Sequence, residues 1–126
     1  MKIELPLGDI IDRISILQIK AERLADAEQL ANVQRALASL RADWAAEAYP
    51  VPEALDDWPA LHGVNQKLWD VEDRLRAHEA EARFDETFVG LARSVYQLND
   101  ERAALKRAIN RSLRSKLVEE KSYRNG

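Results

Sequence analysis

The sequence predicts an all-α domain, either a four-helix antiparallel bundle or a pair of helical hairpins, with a short extended arm at the N-terminus. Three observations predict it. Apolar residues recur at intervals of three and four along most of the chain, which is the spacing of one helix face. The 126 residues include only 4 Gly and 4 Pro, so long helices are not interrupted. Helix-start signals at Asp26 and Asp85 divide the pattern into segments.

The N-terminal segment alternates apolar and polar residues over positions 3–7, which predicts a short edge strand or an extended arm that ends at Gly8. Asp9 is then predicted to be the N-cap of the first helix, because its carboxylate can accept a free backbone N–H. The buried stripe of that helix is predicted to be Ile10, Ile14, Leu17, Ala21 and Leu24.

Asp26, with Gln29 three residues later, resembles a capping box and predicts that a second helix starts there or that the first one bends. Pro50 and Pro52 stop this helix because neither can donate a backbone hydrogen bond. A structured connector is therefore expected at about residues 49–58. The predicted stripe of the second helix is Leu30, Val33, Leu37, Leu40 and Trp44.

The third helix is predicted from about Trp58 to Arg83, and the fourth from the N-cap Asp85 to about Glu120. Phe84 is expected to pack on Val89 as a hydrophobic staple. The short turn makes these two helices an antiparallel hairpin within a single domain, residues 1–126. Apolar positions continue along the fourth helix to Leu113 and Leu117, which predicts a partner from another chain and hence a homodimer.

Composition excludes several classes of protein. The chain has no Cys, so neither a disulfide framework nor a thiolate site is possible. No apolar run approaches the roughly 20 residues that a membrane-spanning helix needs. The first ten residues lack the apolar region of a signal peptide. A cytoplasmic protein with no membrane span is therefore expected.

Charge is distributed unevenly along the chain, although the net charge is only -3. Residues 102–126 contain 8 basic and 2 acidic side chains, and residues 1–101 contain 11 basic and 20 acidic. The basic tail at about residues 111–126 could bind phosphate, nucleic acid or an anionic membrane, but neutralisation of the acidic body is the simpler interpretation. A pI near 5.5 disfavours nucleic-acid binding.

A row of polar residues follows the apolar seam of the last two helices. On the third helix the row is Asn65, Trp69, Glu72, Arg76 and Glu79; on the fourth it is Arg93, Tyr96, Asp100 and Arg107, with Asn99, Lys106 and Asn110 close by. Arg102 lies on the seam itself, between Leu98 and Leu105, where an apolar residue is expected. An inward-facing Arg must be paired or reach water, because an uncompensated buried charge is costly.

Two interpretations of the row remain open. In one, it is a seam of interhelical ion pairs in which Arg102 either extends its charged end to water or pairs with Glu72 or Asp73. In the other, it forms a pocket whose cations hold a phosphate or carboxylate beside an aromatic wall. The candidate ligand-binding residues are Asn65, Trp69, Arg93, Tyr96, Asn99, Arg102, Lys106 and Asn110, and the candidate acid–base residues are Glu72, Asp100 and Tyr96.

No cofactor or metal site is predicted. The carboxylate pairs Asp9/Asp12 and Asp70/Asp73 have helical spacing, but they lack the set of Glu-x-x-Glu pairs that all-helical pyrophosphohydrolases use. His62 and His78 have no neighbouring nucleophile motif, and no glycine-rich phosphate loop is present.

Four segments together resemble a bacterial family of small helical proteins of unknown function: LPLGDIIDRISILQIKAERL, VNQKLWDVEDRLR, FDETFVGLARSVYQLNDERAALKRAIN and EEKSY. The LARSVYQLND and EEKSY motifs are the most specific parts of this resemblance, whereas residues 111–116 depart from it. Its members are similar to proteins encoded near glycosyltransferase and envelope-polysaccharide genes. The resemblance includes Asp12, Lys20, Asp73 and Lys121 besides the candidate residues of the polar row, so it favours the pocket interpretation.

These observations lead us to expect a binding or adaptor protein. Its groove between the third and fourth helices would engage an anionic ligand or a protein partner, and the resemblance links it to envelope-polysaccharide synthesis. The alternative is a small helical enzyme that acts on a phosphorylated or carboxylated metabolite. No explicit nucleophile or metal motif supports that alternative.

Overall fold

The computed structural model describes the backbone of residues 6–125 and the side chains of residues 6–114. It contains four α-helices, α1 (Leu7–Arg23), α2 (Ala27–Ala46), α3 (Trp58–Ala80) and α4 (Glu86–Asn125), and no strand within the described residues. The predicted all-α fold is confirmed. The predicted N-terminal arm lies mostly in residues outside the described range, and its last position, Leu7, already belongs to α1.

Helix α1 is the central element of the fold. It contacts α2, α3 and α4, whereas α3 and α4 form the antiparallel hairpin and α2 packs mainly on α1. The sequence explains this position, because Ile10, Ile11, Ile14, Leu17 and Ile19 are all buried and cover more than one face of the helix. Helix α2 buries only Trp44 fully.

The main core lies where both ends of the chain meet the connector. Trp44 donates its indole N–H to the carbonyl of Pro50 at 2.7 Å, which ties the connector to the end of α2. Leu113 is 1% exposed within this core, so its place in the apolar pattern reflects packing inside the chain rather than a partner. The side chain of Leu117 lies outside the described range. The buried cluster is Ile10, Ile11, Ile14, Trp44, Leu55, Trp58, Leu61, Ile109 and Leu113.

Two of the three predicted helix caps are confirmed. Asp26 accepts the backbone N–H of Gln29 at 2.8 Å, and Asp85 accepts that of Phe88 at 3.0 Å. The third was wrong: α1 begins at Leu7, and Asp9 lies inside its first turn. The reason is tertiary, because α4 packs against this turn and Asp9 forms an ion pair with Lys106.

Helix α3 ends at Ala80, three residues before the predicted end. Ala82 has a φ of 52°, and the N–H of Arg83 donates to the carbonyl of His78 at 2.8 Å, which closes the helix as a Schellman motif does. Glycine is the usual signal for this turn, and the sequence has alanine instead. Phe84 packs edge-on against Phe88 at 5.2 Å between ring centroids, while Val89 is largely exposed.

Candidate functional site

The centre of the site is a bidentate ion pair between α4 and α1. Arg102 Nε donates to Asp12 Oδ1 at 2.9 Å, and Nη2 donates to Asp12 Oδ2 at 2.5 Å. Asp12 is only 4% exposed. The expected pairing of Arg102 with Glu72 or Asp73 was wrong, because α1 packs over the α3–α4 hairpin at this level and places a carboxylate closer than either.

A chain of polar side chains continues from Asp12 across the interior. Asn65 Nδ2 donates to Asp12 Oδ1 at 2.9 Å and to Ser15 Oγ at 3.1 Å, and Ser15 Oγ lies 2.8 Å from His62 Nδ1. Because Ser15 accepts from Asn65, its own proton can be donated to His62 Nδ1, which must then be unprotonated. Burial lowers the pKa of His62 below its usual 6.5, which favours the same neutral ring.

The first turn of α1 is clamped to α4 by two further contacts. Lys106 Nζ lies 2.8 Å from Asp9 Oδ1, and the N–H of Gly8 donates to Asn110 Oδ1 at 2.6 Å. A Cβ on Gly8 would lie 2.3 Å from the carbonyl oxygen of Lys106. Glycine at this position is therefore required by the close approach of the two helix backbones.

The guanidinium of Arg102 is fixed in place but is not sealed from solvent. Its hydrogen bonds to Asp12 raise its pKa, burial opposes this, and the charges of Asp12, Asp9 and Glu72 raise it further. The side chain remains 29% exposed. A permanently charged, preorganised cation with open surface is suited to contact an anion.

Two cavities lie on either side of Arg102. The first has a volume of about 170 Å³ and lies open between α1, α3 and α4. Its wall combines apolar side chains with two amides, an indole, two cations and one carboxylate. The lining residues are Ile16, Ile19, Lys20, Asn65, Leu68, Trp69, Glu72, Asn99 and Arg102.

The second cavity has a volume of about 260 Å³ and lies between α1 and α4. Four of its lining side chains are basic and two are acidic, which leaves an excess of two positive charges. Arg102 and Lys20 line both cavities. The lining residues are Asp9, Asp12, Arg13, Ile16, Leu17, Lys20, Arg102 and Lys106.

The predicted site residues of α4 divide into two rows on different faces. The inner row faces α1 or its cavities and consists of Asn99, Arg102, Lys106 and Asn110. The outer row is exposed and consists of Arg93, Tyr96, Asp100 and Arg107. On α3, Asn65, Trp69 and Glu72 line the first cavity.

The structure brings some of the predicted residues together and separates others. Five of them line the first cavity: Asn65, Trp69, Glu72, Asn99 and Arg102. Arg102 and Lys106 line the second cavity. Arg93, Tyr96 and Asp100 line neither of these two cavities.

Sequence reasoning missed the contribution of α1. In the sequence, Asp12 is half of a carboxylate pair, Asp12 and Lys20 enter only through the family resemblance, and nothing indicates a role for Ser15. A signal was present, because the apolar positions of residues 10–19 cover more than a single stripe and so predict burial on several sides. A helix buried in this way contacts every other helix, and its polar residues must then meet partners.

The described residues contain no group of three or more His, Asp or Glu side chains placed to hold a metal ion. Within the same part of the chain, no helix is long and apolar enough to cross a membrane.

Comparison with known proteins assigns the chain to a family. Residues 1–126, its whole length, match a family of unknown function, DUF6165, and the chain belongs to that family. No curated protein and no solved structure matches the chain.

Proposed function

We propose that this protein is a non-catalytic binding protein whose ligand is a small anion with an uncharged polar part. The observation that carries the proposal is the placement of Lys20. Its side chain lines both cavities beside Arg102, and among the described residues it has no carboxylate partner. Two further cations of the α1–α4 contact, Arg102 and Lys106, are each paired with an aspartate.

Charge separates the roles of the two cavities. In the second cavity, Lys20 and Arg13 remain after Arg102 and Lys106 have been paired, so a phosphate or carboxylate is stabilised there. In the first cavity, the negatively charged carboxylate of Glu72 would repel an anion. Asn65, Asn99 and the indole of Trp69 suit hydroxyl or amide groups that lie against an apolar surface.

The cavities have volumes of about 170 and 260 Å³ and share Arg102 and Lys20 in their walls, so a small ligand held by these two cations would contact both cavities. Phosphorylated sugars and nucleotides combine an anionic group with uncharged polar groups in this way. The resemblance to proteins encoded near polysaccharide genes makes nucleoside diphosphate sugars the first ligands to test. A cytoplasmic location and a role in envelope-polysaccharide synthesis are the further parts of this proposal.

The catalytic alternative now depends on Glu72. Asp100 and Tyr96 line neither cavity, and Ser15 is fully buried, so none of them meets a ligand bound beside Arg102. Glu72 is exposed at the wall of the first cavity and is the one acid–base candidate in contact with it.

The proposal is tested by calorimetric titration of the whole chain with inorganic phosphate and with a nucleoside diphosphate sugar. We expect saturable binding of the sugar nucleotide by the natural chain. Lys20→Met should weaken binding by about tenfold or more, since a hydrogen bond to a charged group contributes about 1.5–3 kcal/mol. Lys67→Met is the matched control, because Lys67 lies on the other side of the hairpin and lines a separate groove.

Absence of binding by the natural chain, or equal affinity in the Lys20→Met variant, would contradict the proposal. Conversion of the nucleotide sugar to a product, lost in Glu72→Gln while binding is retained, would replace it with the catalytic alternative.

A further inference from the structure

The outer face of α4 has features that the chain itself does not use. Tyr96 is 74% exposed and Val89 is 44% exposed, and they lie seven residues apart on this face. Four charged residues, Glu86, Arg93, Asp100 and Arg107, follow one another at intervals of seven beside them, and all four are exposed. Among the described residues, none of the four has an ion-pair partner.

The charges on this face are arranged symmetrically about its midpoint. Arg93 and Asp100 lie at equal distances on either side of the position between Tyr96 and Gln97, and so do Glu86 and Arg107. In both pairs the two members have opposite charges. An antiparallel helix with the same sequence, placed against this face, would therefore meet an opposite charge at each of the four positions.

Small residues at two positions on this face allow close approach. Gly90 has no atom within 4 Å of the place where a Cβ would lie, so nothing within the chain requires glycine there. Under the same symmetry Gly90 falls opposite Ala103, a small residue that is half-buried. Small residues at opposed positions allow two helix backbones to approach while the charges flank them.

We propose that the outer face of α4 binds a second copy of this chain, with the two α4 helices antiparallel about a two-fold axis beside Tyr96 and Gln97. The self-complementary charges favour a second copy over any other partner, because another protein would need complementary charges but no symmetry about a midpoint. The proposal is independent of the ligand site, since the cavities lie on the inner side of α4 and remain open in the dimer.

The size of the face limits the strength of association. From Glu86 to Arg107 the helix is about 31 Å long, and a single helix face of this length is smaller than the roughly 800 Å² per partner of a standard interface. We therefore expect a reversible dimer that forms in the micromolar range rather than an obligate one. The predicted homodimer thus has an interface on the first half of α4, instead of the end of the helix beyond Leu113.

Charge exchange tests the symmetry directly. In the proposed dimer, Arg93→Glu places two carboxylates together at two equivalent contacts, and Asp100→Arg does the same with two cations. Sedimentation equilibrium between about 1 µM and 1 mM should show a monomer–dimer equilibrium for the natural chain, at least about tenfold weaker in either variant. The double variant Arg93→Glu/Asp100→Arg should recover the natural affinity. Arg35→Glu, an equal charge change on the exposed surface of α2, is the control and should leave it unchanged.

A second experiment tests the register. The chain has no Cys, so a single introduced thiol reports one position. Tyr96→Cys and Gln97→Cys should each form a disulfide-linked dimer on mild oxidation, because each residue lies next to the axis and its own copy is only about 1.5 Å away along the helix. Glu86→Cys alone should not, since its copy would be about 31 Å away along the helix, but a mixture with Arg107→Cys should cross-link.

A chain that remains monomeric at 1 mM, or a dimer that persists undiminished in Arg93→Glu, would overturn the proposal. So would cross-linking of Glu86→Cys with itself in place of Tyr96→Cys, because that result requires a different axis.

Discussion

The inner and outer rows of α4 contain similar residues at similar helical spacing, yet the inner row contacts α1 and the outer row faces solvent. In the inner row, Arg102 and Lys106 meet Asp12 and Asp9 of α1, and Asn110 accepts the N–H of Gly8. In the outer row, Arg93 and Asp100 are exposed and face solvent. The difference arises from what lies opposite each row and not from the residues themselves.

This contrast separates charges that hold the fold together from charges that are free to bind a partner. A paired charge in a buried setting is strongly coupled to stability, because removal of one member leaves the other without compensation. An exposed charge contributes little to stability. The ligand site combines both kinds, since Arg102 is fixed by its pairing and Lys20 beside it is not paired within the described residues.

The largest expected effect is that of Arg102→Met. This change leaves the buried Asp12 carboxylate without its cation and should lower the free energy of unfolding by about 3 kcal/mol, the lower end of the usual range because Arg102 is 29% exposed. Urea denaturation followed by circular dichroism measures it. In the double variant Arg102→Met/Asp12→Asn most of the lost stability should be recovered, because the amide carries no charge that needs a cation. Its oxygen can still accept the hydrogen bond from Asn65. A loss below about 1 kcal/mol would show that the pair is not coupled to the fold.

The next largest effect is expected at Gly8. Gly8→Ala places a methyl group against the backbone of α4, which cannot rotate away, and should destabilise the chain by about 1–3 kcal/mol. Gly63→Ala is the matched control on α3, where a Cβ has no neighbour within 4 Å, and it should stabilise by about 0.5–1 kcal/mol through helix propensity. Thermal unfolding of both variants gives the comparison, and an equal response of the two would contradict the close contact of α1 with α4.

A smaller effect should follow the titration of His62 at the far end of the buried polar chain. Its pKa is lowered in the folded chain, so the contribution to stability is complete above about pH 6.5 and falls as pH decreases from 6.5 through the folded pKa. The lowered pKa values of Glu53 and Asp85 act at more acidic pH, below their usual values of 4.5 and 3.8.

Urea denaturation at pH values from 8 to 5 measures the change. In His62→Gln, an amide oxygen can still accept from Ser15 but does not titrate, so the decrease in stability below pH 6.5 should be absent. If the free energy of unfolding decreased equally with pH in the natural chain and in His62→Gln, the pH dependence would belong to other groups.

The smallest effect is expected for the outer row. Tyr96→Ala should change the free energy of unfolding of the dilute monomer by less than about 0.5 kcal/mol, because the ring is 74% exposed. Measurement at a concentration below about 1 µM separates this effect from any change in association. A loss comparable with that of Arg102→Met would mean that the two rows do not differ as their contacts indicate.

Much of the fold could be predicted from local signals. The caps at Asp26 and Asp85 depend on a side chain and an N–H three residues apart, and both were predicted correctly because such contacts need no tertiary partner. The start of α1 was not, because Asp9 is engaged by Lys106 from the opposite end of the chain. The end of α3 was missed for a different reason, since Ala82 adopts the conformation for which glycine is the signal.

By itself, the sequence determined that the protein is helical, where its hairpin turns and that Arg102 is out of place on an apolar seam. Helical periodicity, capping and breaker residues act over a few positions, so they can be read along the chain. Only the tertiary structure decided that Arg102 pairs with Asp12, that Lys20 stands between two cavities, and that the polar row divides into an inner and an outer face. Those outcomes depend on which helix packs against α4, and the contact that decides them joins residues 90 positions apart.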